Sequence, residues 1–440
     1  MRDIALIIVL PFMIYAIFQR PFIGLGMWIW TAMFFPNGWV YGIASNIRYN
    51  LLFTGLTVVV YLMSKQKMPL RFGYLGVMII FFFLWTTLST IFGLAPSEIV
   101  WEFWTRLAKI MALFVFILLI MNKKLHIDFF LWCLTLSLGF VAVVEGLKYV
   151  VSVGGHRIAG MAGHVIGDRN DLALAMTMLL PICFYQLDEY GKKSRMLKFG
   201  LVGVIVMVII SIIGTNSRGG LVALLSVGAY LFIKSEKKVV FSLLAICLGL
   251  TIFNLIPEQW FDRMNTISTA GSDDSFMGRI VAWKLSMILA LRHPFLGGGF
   301  KALEYFPVWT SLSMDFFNYP FFFTGTAVPD SFRSHAAHSI YFQVLGDHGF
   351  IGLFIFLIIL TLSFHKAGLV AKIAKQNGLP SWIIKLATML KLSIFVYAVG
   401  GAALSFAYFD FIYAIFAIVL ILELRILPEL LNTNRSVEKL

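Results

Sequence analysis

The sequence predicts an all-α protein that crosses a membrane many times, and two observations carry that prediction. The chain has 440 residues, of which 60% are hydrophobic and only 13% are charged, whereas a soluble domain carries roughly 25% charged residues. Apolar runs recur along its whole length, and a helix needs about 20 mostly apolar residues to cross the hydrocarbon layer. Because backbone polar groups in lipid must be satisfied within the segment, the runs are expected to be helices packed into a bundle.

The candidate membrane spans can be read directly from these apolar runs. The runs number about twelve or thirteen, because only Arg20 and Pro21 separate the first two and Pro11 interrupts the first. We expect about twelve transmembrane helices. Arg2 precedes the first run but no small-residue cleavage site follows it, which favours a retained helix over a removed signal peptide. The predicted spans are 4–18, 21–36, 49–63, 74–94, 101–121, 129–150, 171–187, 199–214, 220–233, 239–256, 339–364, 387–405 and 408–426.

The formal net charge of +13 does not indicate nucleic-acid binding, because the lysines and arginines are concentrated in short connections. This is the positive-inside pattern of cytoplasmic loops. The basic connections lie near residues 65–71, 123–124, 192–198, 234–238, 366–375 and 425–435. The alternate, extracytoplasmic connections are then 36–48, 95–98, 151–169, 215–219 and 257–338. We therefore expect membrane lipids and no nucleic acid as partners, and a cytoplasmic C-terminus.

One extracytoplasmic connection is long enough to fold as a cap. Residues 257–338 mix many aromatic side chains with acidic and basic ones. A connection of this length without structure or function is uncommon. The chain is therefore expected to divide into an N-terminal helix bundle (1–256), a cap (257–338) and C-terminal membrane helices (339–440).

Polar residues that a bilayer should exclude indicate function, and four clusters of them lie on the predicted outer side. The first holds Arg157 and Arg169 just before an apolar helix. Asn170 or Asp171 is expected to cap that helix, which explains the acidic residues of the cluster but not its two arginines. Both arginines are therefore candidates for substrate contact.

The second cluster is Ser217 and Arg218 followed by two glycines, between two apolar runs. Exposed N–H groups at a helix start favour an anion, and the glycines are expected to open space for a ligand. The alternative is an arginine that reaches to the membrane interface with no ligand.

The third cluster places Arg279 and Trp283 four residues apart, which puts both on one helix face. The helix is expected to stop at Pro294, before a glycine-rich turn at 297–299. That turn lacks the lysine and the serine or threonine of a phosphate-binding loop and does not follow a strand, so we expect no nucleotide site.

The fourth cluster contains Arg333, His335 and His338. At helical spacing the two histidines would share a face, but no third metal ligand accompanies them. Neither a metal nor another cofactor is predicted. A single histidine, His338, acting as a general base at the mouth of the bundle fits the pattern better.

These clusters, in this order, resemble the O-antigen ligase and O-antigen polymerase superfamily across roughly residues 157–352. The matching elements are Ser-Arg-Gly-Gly at 217–220, the Arg-to-Trp helix at 279–283 with its turn at 293–299, and His-Ser at 338–339 before Leu-Gly-x-x-Gly-x-x-Gly at 345–352. The N-terminus and residues 167–171 look like a subgroup of O-glycosylation ligases associated with exosortase systems. Arg169 stands where that subgroup has asparagine, which leaves the acceptor open.

The resemblance implies a GT-C-like helical fold in the bacterial inner membrane and an inverting, metal-independent glycosyl transfer at the periplasmic face. The donor would be a glycan on undecaprenyl pyrophosphate, and the acceptor a hydroxyl of the lipid A–core oligosaccharide. Arg218 and Arg279 would hold the pyrophosphate with their guanidinium forks, and His338 would take the acceptor proton. The further candidates for substrate contact are Arg157, Arg169, Arg333, His335 and Trp283.

Three other functions are compatible with parts of this pattern. An O-antigen polymerase or a protein O-oligosaccharyltransferase shares the donor chemistry and differs only in the acceptor. A lipid or polysaccharide transporter would instead show broken helices in corresponding midplane positions of two halves. This sequence gathers its polar residues at one face, which favours the transferase.

Overall fold

The computed structural model describes residues 2–65, 67–235 and 274–437, with a few positions between 238 and 249. Within those residues the regular secondary structure is entirely helical, so the all-α prediction is confirmed for that part of the chain. The helices are α1 (Arg2–Gln19), α2 (Pro21–Phe34), α3 (Gly42–Ser45), α4 (Tyr49–Met63), α5 (Gly73–Ile91), α6 (Ser97–Ile120), α7 (Lys124–Val151), α8 (Arg169–Tyr190), α9 (Arg195–Gly214), α10 (Arg218–Lys234), α11 (Asp274–Arg292), α12 (Phe306–Met314), α13 (Ile340–Gln376), α14 (Ser381–Gly400), α15 (Asp410–Ile421) and α16 (Leu427–Val437).

Length and composition make this a multi-pass membrane protein. Among the described residues, nine helical segments are long and apolar enough to cross a membrane. Two further apolar helices, α2 and α4, are shorter. Most of the predicted span 239–256 lies outside the described residues, so the count of about twelve stays a prediction, as does the GT-C-like arrangement.

The connections assigned to opposite sides of the membrane separate to opposite ends of the bundle. At one end the Leu94 N–H donates to the Gly298 carbonyl at 2.8 Å, and the Ile158 N–H donates to the Gly214 carbonyl at 3.4 Å. At the other end Arg425 donates from Nη1 to the Met121 carbonyl at 2.8 Å and from Nη2 to the Pro69 carbonyl at 2.9 Å. The predicted outer segments therefore meet one another, and so do the predicted cytoplasmic ones.

Two helical segments occupy the interior of the bundle. In the most apolar windows of α8 and of the segment Asp410–Asn434, 78% of the residues are buried within the protein, against 6% in α1. α8 packs against α7, α9, α10 and α14. The outer end of α8 is therefore surrounded by protein, and polar groups there face other helix ends.

A break in α13 locks the glycine-rich turn after α11 onto the bundle. Gly349 has φ 69° within α13, a conformation that residues with a side chain rarely adopt. The Phe350 N–H donates to the Pro294 carbonyl at 2.9 Å, and the Gly298 and Gly299 N–H groups donate to the carbonyls of Gly346 and Asp347 at 2.9 and 2.8 Å. A Cβ on Gly297 would lie 2.5 Å from the Gly349 nitrogen. These glycines serve close backbone packing.

The described part of the predicted cap has a hydrophobic core of its own. Buried side chains of α11, α12 and the following segment pack together, with Trp309 and Phe316 among the largest. The Trp309 indole donates to the Asp330 carbonyl at 2.9 Å, and Arg292 forms an ion pair with Asp315. Residues 274–338 are therefore folded against the outer end of the bundle; where the cap begins stays a prediction.

Candidate active site

His338 lies where the cap returns to the membrane helices, at the end of the bundle where the predicted outer segments meet. We call the surface around it, bounded by the starts of α8, α10 and α13, the His338 cleft. Its backbone has φ 47°, and the next residue, Ser339, is the N-cap of α13. Residues 335–338 are not helical, so the expectation that His335 and His338 share a helical face is wrong. The backbone at His338 is left-handed, which is uncommon for a residue with a side chain, and the side chain is exposed.

Trp283 fixes the backbone that carries His338. Its indole N–H donates to the Ala337 carbonyl at 2.8 Å, and its ring stacks on Phe342 with centroids 5.0 Å apart and planes 8° from parallel. Both contacts lie within five residues of His338, one on each side. Trp283 therefore holds the chain on both sides of His338, and its contact with substrate stays a prediction.

Arg279 lies one turn before Trp283 on α11, and its charge reaches His338. Burial and, second, the positive charge of Arg279 lower the pKa of His338 below its ordinary value of 6.5, while the negative charges of Asp168 and Glu304 oppose that shift. Desolvation and a nearby positive charge both favour the neutral form of an imidazole. A neutral imidazole at pH 7 can accept a proton.

Arg218 is the first residue of α10, and its neighbours tie it to the start of α8. Ser217 caps α10 by accepting from the Gly220 N–H at 3.1 Å, and its hydroxyl donates to Asn170 Oδ1 at 2.7 Å. The cap of α8 is Asp168, which accepts from the Asn170 N–H at 2.7 Å. The expectation that Asn170 or Asp171 caps α8 is therefore wrong, because the helix begins two residues earlier.

The two glycines after Arg218 do not open space for a ligand, contrary to the expectation from sequence. A Cβ on Gly220 would lie 2.6 Å from the Ala173 Cβ of α8, and one on Gly219 would lie 3.1 Å from the Ala403 Cβ. Small residues here let α10 approach its neighbours closely. Their role is helix packing.

That packing brings the Arg218 and His338 segments against the same short stretch of chain. Residues 400–403 contact Gly219 on one side, and a Cβ on Gly401 would lie 2.6 Å from Ile340 on the other. Asp168, joined through Asn170 to Ser217, also acts electrostatically on His338. The starts of α8, α10 and α13 thus converge on one cleft.

The remaining predicted residues lie around this cleft in different settings. His335 is 3.3 Å from Asp330 through Nε2 and packs edge-on against Trp309 at 5.5 Å, so it is held by the cap. Arg333 is exposed on the same segment. Arg157 is exposed on the loop before α8, and Arg169 is half-buried as the first residue of that helix.

Sequence reasoning missed two acidic neighbours of His338 and an adjacent cavity. Asp168 and Glu304 influence the histidine from separate segments, and no spacing pattern links them to it. The cavity has a volume of about 820 Å³, and Arg106 and Lys109 contribute to its wall. The sequence did contain a sign of this cavity, because Arg106 and Lys109 are charged residues inside the predicted span 101–121.

Within the described ranges, no group of three or more His, Cys, Asp or Glu side chains is arranged to hold a metal ion.

Two comparisons with known families cover most of the chain. Residues 203–357 match the family described as O-antigen ligase, and residues 1–189 match a family of unknown function (DUF5935). No curated protein matches the chain. The first match contains Arg218, Arg279 and His338, and it confirms the resemblance drawn from the sequence.

Proposed function

We propose that this protein is an O-antigen ligase, because residues 203–357 match the family described as O-antigen ligase. It transfers a glycan from undecaprenyl pyrophosphate to a hydroxyl of the lipid A–core oligosaccharide, with inversion, at the periplasmic face of the inner membrane. The observation that carries this proposal is the convergence of Arg218, Arg279 and a neutral His338 at one outer cleft.

Arg218 and Arg279 are assigned to the donor. A lipid pyrophosphate brings dense negative charge to the outer interface, and a guanidinium pairs with phosphate oxygens through two parallel hydrogen bonds. Arg218 also stands at the N-terminus of α10, where the helix dipole favours an anion. The two arginines stabilise the charge that accumulates on the pyrophosphate as it leaves.

His338 is assigned to the acceptor. The accepting hydroxyl has a pKa far above 7, so it gains from a base that removes its proton as the oxygen attacks the anomeric carbon. The new bond forms from the hydroxyl oxygen to that carbon, and the bond from the carbon to the pyrophosphate oxygen breaks on the opposite face. The proton passes to the unprotonated ring nitrogen of His338, and undecaprenyl pyrophosphate leaves with the bonding electron pair.

The test is a transfer assay that offers one donor to several acceptors. Purified full-length protein is incubated with an undecaprenyl-pyrophosphate glycan and, separately, with lipid A–core, a free glycan and a serine- or threonine-containing peptide. The expected product is lipid A–core carrying the intact glycan, identified by mass. Exclusive extension of the free glycan would identify a polymerase, and exclusive modification of the peptide would identify a protein O-oligosaccharyltransferase; either result would overturn the ligase assignment.

A further inference from the structure

A second polar space adjoins the His338 cleft and is not used by the mechanism above. It is the cavity of about 820 Å³ at the outer end of the bundle, within the range of roughly 300–1,000 Å³ typical of ligand sites. Its wall joins α2, α4 and α6 of the N-terminal part to Lys301, Gln343 and residues 405–410 of the C-terminal part. Residues from both regions that match known families therefore line the cavity.

Four basic side chains line this cavity: Arg48, Arg106, Lys109 and Lys301. The only carboxylates on the described wall are Asp171 and Asp410, which leaves a formal charge of four minus two, or +2. The wall also contains His164, whose pKa burial lowers to about 4, so this histidine adds no charge at neutral pH. The cavity is therefore a cationic space.

Two of these cations lie deep along a membrane helix. Arg106 and Lys109 are nine and twelve residues beyond the start of α6 at Ser97, which is about 13 and 18 Å at 1.5 Å per residue. A charged side chain at such depth is costly unless it faces a cavity, and it is a functional-site candidate by default. The positive-inside pattern does not explain Arg106 and Lys109, because the basic connections that form this pattern lie at the opposite end of the bundle.

The cations of the cavity differ in their partners. Arg106 pairs with Glu102 at 2.5 Å and Lys301 with Glu304 at 2.7 Å. Among the described residues, no carboxylate lies within 4.0 Å of the Arg48 or Lys109 charge. Phe103 lies between Arg106 and Lys301, whose charged groups are 4.5 and 4.6 Å from its ring centroid. Lys109 interacts electrostatically with Asp410 of the same wall but forms no ion pair with it, so Arg48 and Lys109 are the cations most available to a ligand.

The cavity and the His338 cleft share a wall. Gln343 lines the cavity, and its N–H donates to the carbonyl of Ser339, the residue after His338, at 2.8 Å. Asp171 lines the cavity three residues after Asp168, whose charge acts on His338. The cavity wall therefore comes within about one helical turn of the segments around His338, while Arg218 lies outside that wall.

We propose that this cavity binds the acceptor and selects one that carries phosphate or carboxylate groups, with Arg48 and Lys109 as its main anion contacts. This assignment rests on the function proposed above, because it takes His338 as the base that the acceptor hydroxyl reaches. It deepens that function by separating the two substrates: the pyrophosphate lies at Arg218 and Arg279, and the anionic acceptor lies across the cleft.

Binding tests the proposal without requiring turnover. Full-length protein in uncharged nanodiscs is titrated with three fluorescent hexasaccharides, one uncharged, one with a phosphate ester and one with a terminal uronic acid, and anisotropy is recorded. The phosphorylated or the carboxylated probe, or both, is expected to bind at least about 10-fold more tightly than the uncharged one, and the comparison shows which anion is preferred. Equal affinities for all three, or no binding of either charged probe, would overturn the proposal.

Variants locate the binding. Arg48→Gln and Lys109→Gln should each weaken the preferred charged probe about 10-fold, whereas Lys109→Arg should retain its binding. Lys148→Gln is the matched control, because Lys148 is an exposed basic residue at the outer end of α7, paired with Glu145 at 2.6 Å and outside the cavity wall. An equal loss in the control would sink the assignment.

Undecaprenyl pyrophosphate separates the two substrates in the same assay. It should neither displace the charged probe nor bind more weakly to the Arg48 and Lys109 variants. If those variants lose affinity for undecaprenyl pyrophosphate and not for the probe, the cavity belongs to the donor and the proposal fails. Absence of transfer with any acceptor would instead overturn the proposed function while leaving this binding result standing.

Discussion

The His338 cleft and the cationic cavity beside it are built in opposite ways. In the cleft, Arg218 and His338 stand at helix starts, and the backbone near them is fixed by short contacts, such as the Trp283 hydrogen bond to Ala337 and the close approach of Gly220 to Ala173. In the cavity, the cations come from three distant places in the chain: Arg48, the α6 pair Arg106 and Lys109, and Lys301. The cleft is a rigid frame, and the cavity is a space lined by long side chains.

Because one region is rigid and the other is lined by flexible side chains, we expect them to have different roles in a transfer reaction. Rigid placement suits groups that act in the transition state, where small displacements are costly. Long, flexible cations suit recognition of a charged molecule whose shape varies. Substitutions in the cleft should therefore lower kcat, and substitutions in the cavity should raise KM for one substrate.

The largest expected effect is that of His338→Ala. Losing the base should lower kcat about 10²–10⁴-fold, with donor binding little changed. His335→Ala is the matched control, because His335 lies three residues away but is held by Asp330 and Trp309. Single-turnover transfer and donor binding are measured for both. A larger loss for His335→Ala, or a His338 variant that loses donor binding and not transfer, would place the base elsewhere.

Replacing the cleft arginines by lysine comes next. Arg218→Lys and Arg279→Lys keep the charge but lose the fork, so transfer should fall about 10²-fold while the protein still folds and inserts. Arg292→Lys is the control on α11, since Arg292 pairs with Asp315 in the cap. Transfer rates and the thermal stability of each variant are compared. Near-normal turnover of both cleft variants would show that Arg218 and Arg279 do not bind the pyrophosphate through two parallel hydrogen bonds.

The rigidity of the frame is tested by two glycines of α10. Gly220→Ala should destabilise the protein by about 1–3 kcal/mol, because the new Cβ would lie 2.6 Å from the Ala173 Cβ. Gly228→Ala on the same helix meets nothing within 4 Å and should be neutral or slightly stabilising. Unfolding in detergent is followed for both. Equal stabilities would show that α10 shifts easily to accommodate the new Cβ. The cleft would then not be the rigid region that the comparison with the cavity assumes.

Hydropathy predicted the membrane helices well and their ends poorly. α13 continues to Gln376, beyond the predicted end at residue 364, and Lys366 of that extension pairs with Glu423. α14 begins at Ser381, before the predicted residue 387, and Lys385 of its first turns pairs with Asp188. An apolar window finds only the part that crosses lipid, whereas ion pairs between helices prolong both beyond it.

The candidate site was predicted only where its residues form short motifs. Ser217–Arg218 and His338–Ser339 are adjacent in sequence, so their pattern could be read. The helical interpretation of His335 and His338 failed because a residue spacing implies a shared face only when the backbone is helical, and His338 is left-handed. The cavity residues share no motif, and only the tertiary fold brings them together.

The smallest expected effect is a shift in the pH dependence of transfer, caused only by the charges near His338. The proposed mechanism uses neutral His338 as the base, so kcat should fall as pH drops through the pKa of this residue, which burial and then Arg279 hold below 6.5. Arg279→Gln removes a positive charge and should move this acid limb of the pH profile to higher pH. Burial remains, so the limb should stay below the ordinary histidine value.

Two further variants complete this pH test: one should shift the acid limb in the opposite direction, and the other is the control. Glu304→Gln removes a negative charge that raises the pKa of His338, and it should move the acid limb to lower pH. Arg279→Lys keeps the charge, so its limb should stay in place although its rate falls. Residual kcat is measured against pH at constant ionic strength. Limbs that coincide in all four proteins would mean that the titrating base is not His338, whereas opposite shifts for Arg279→Gln and Glu304→Gln would identify it from the charges around it.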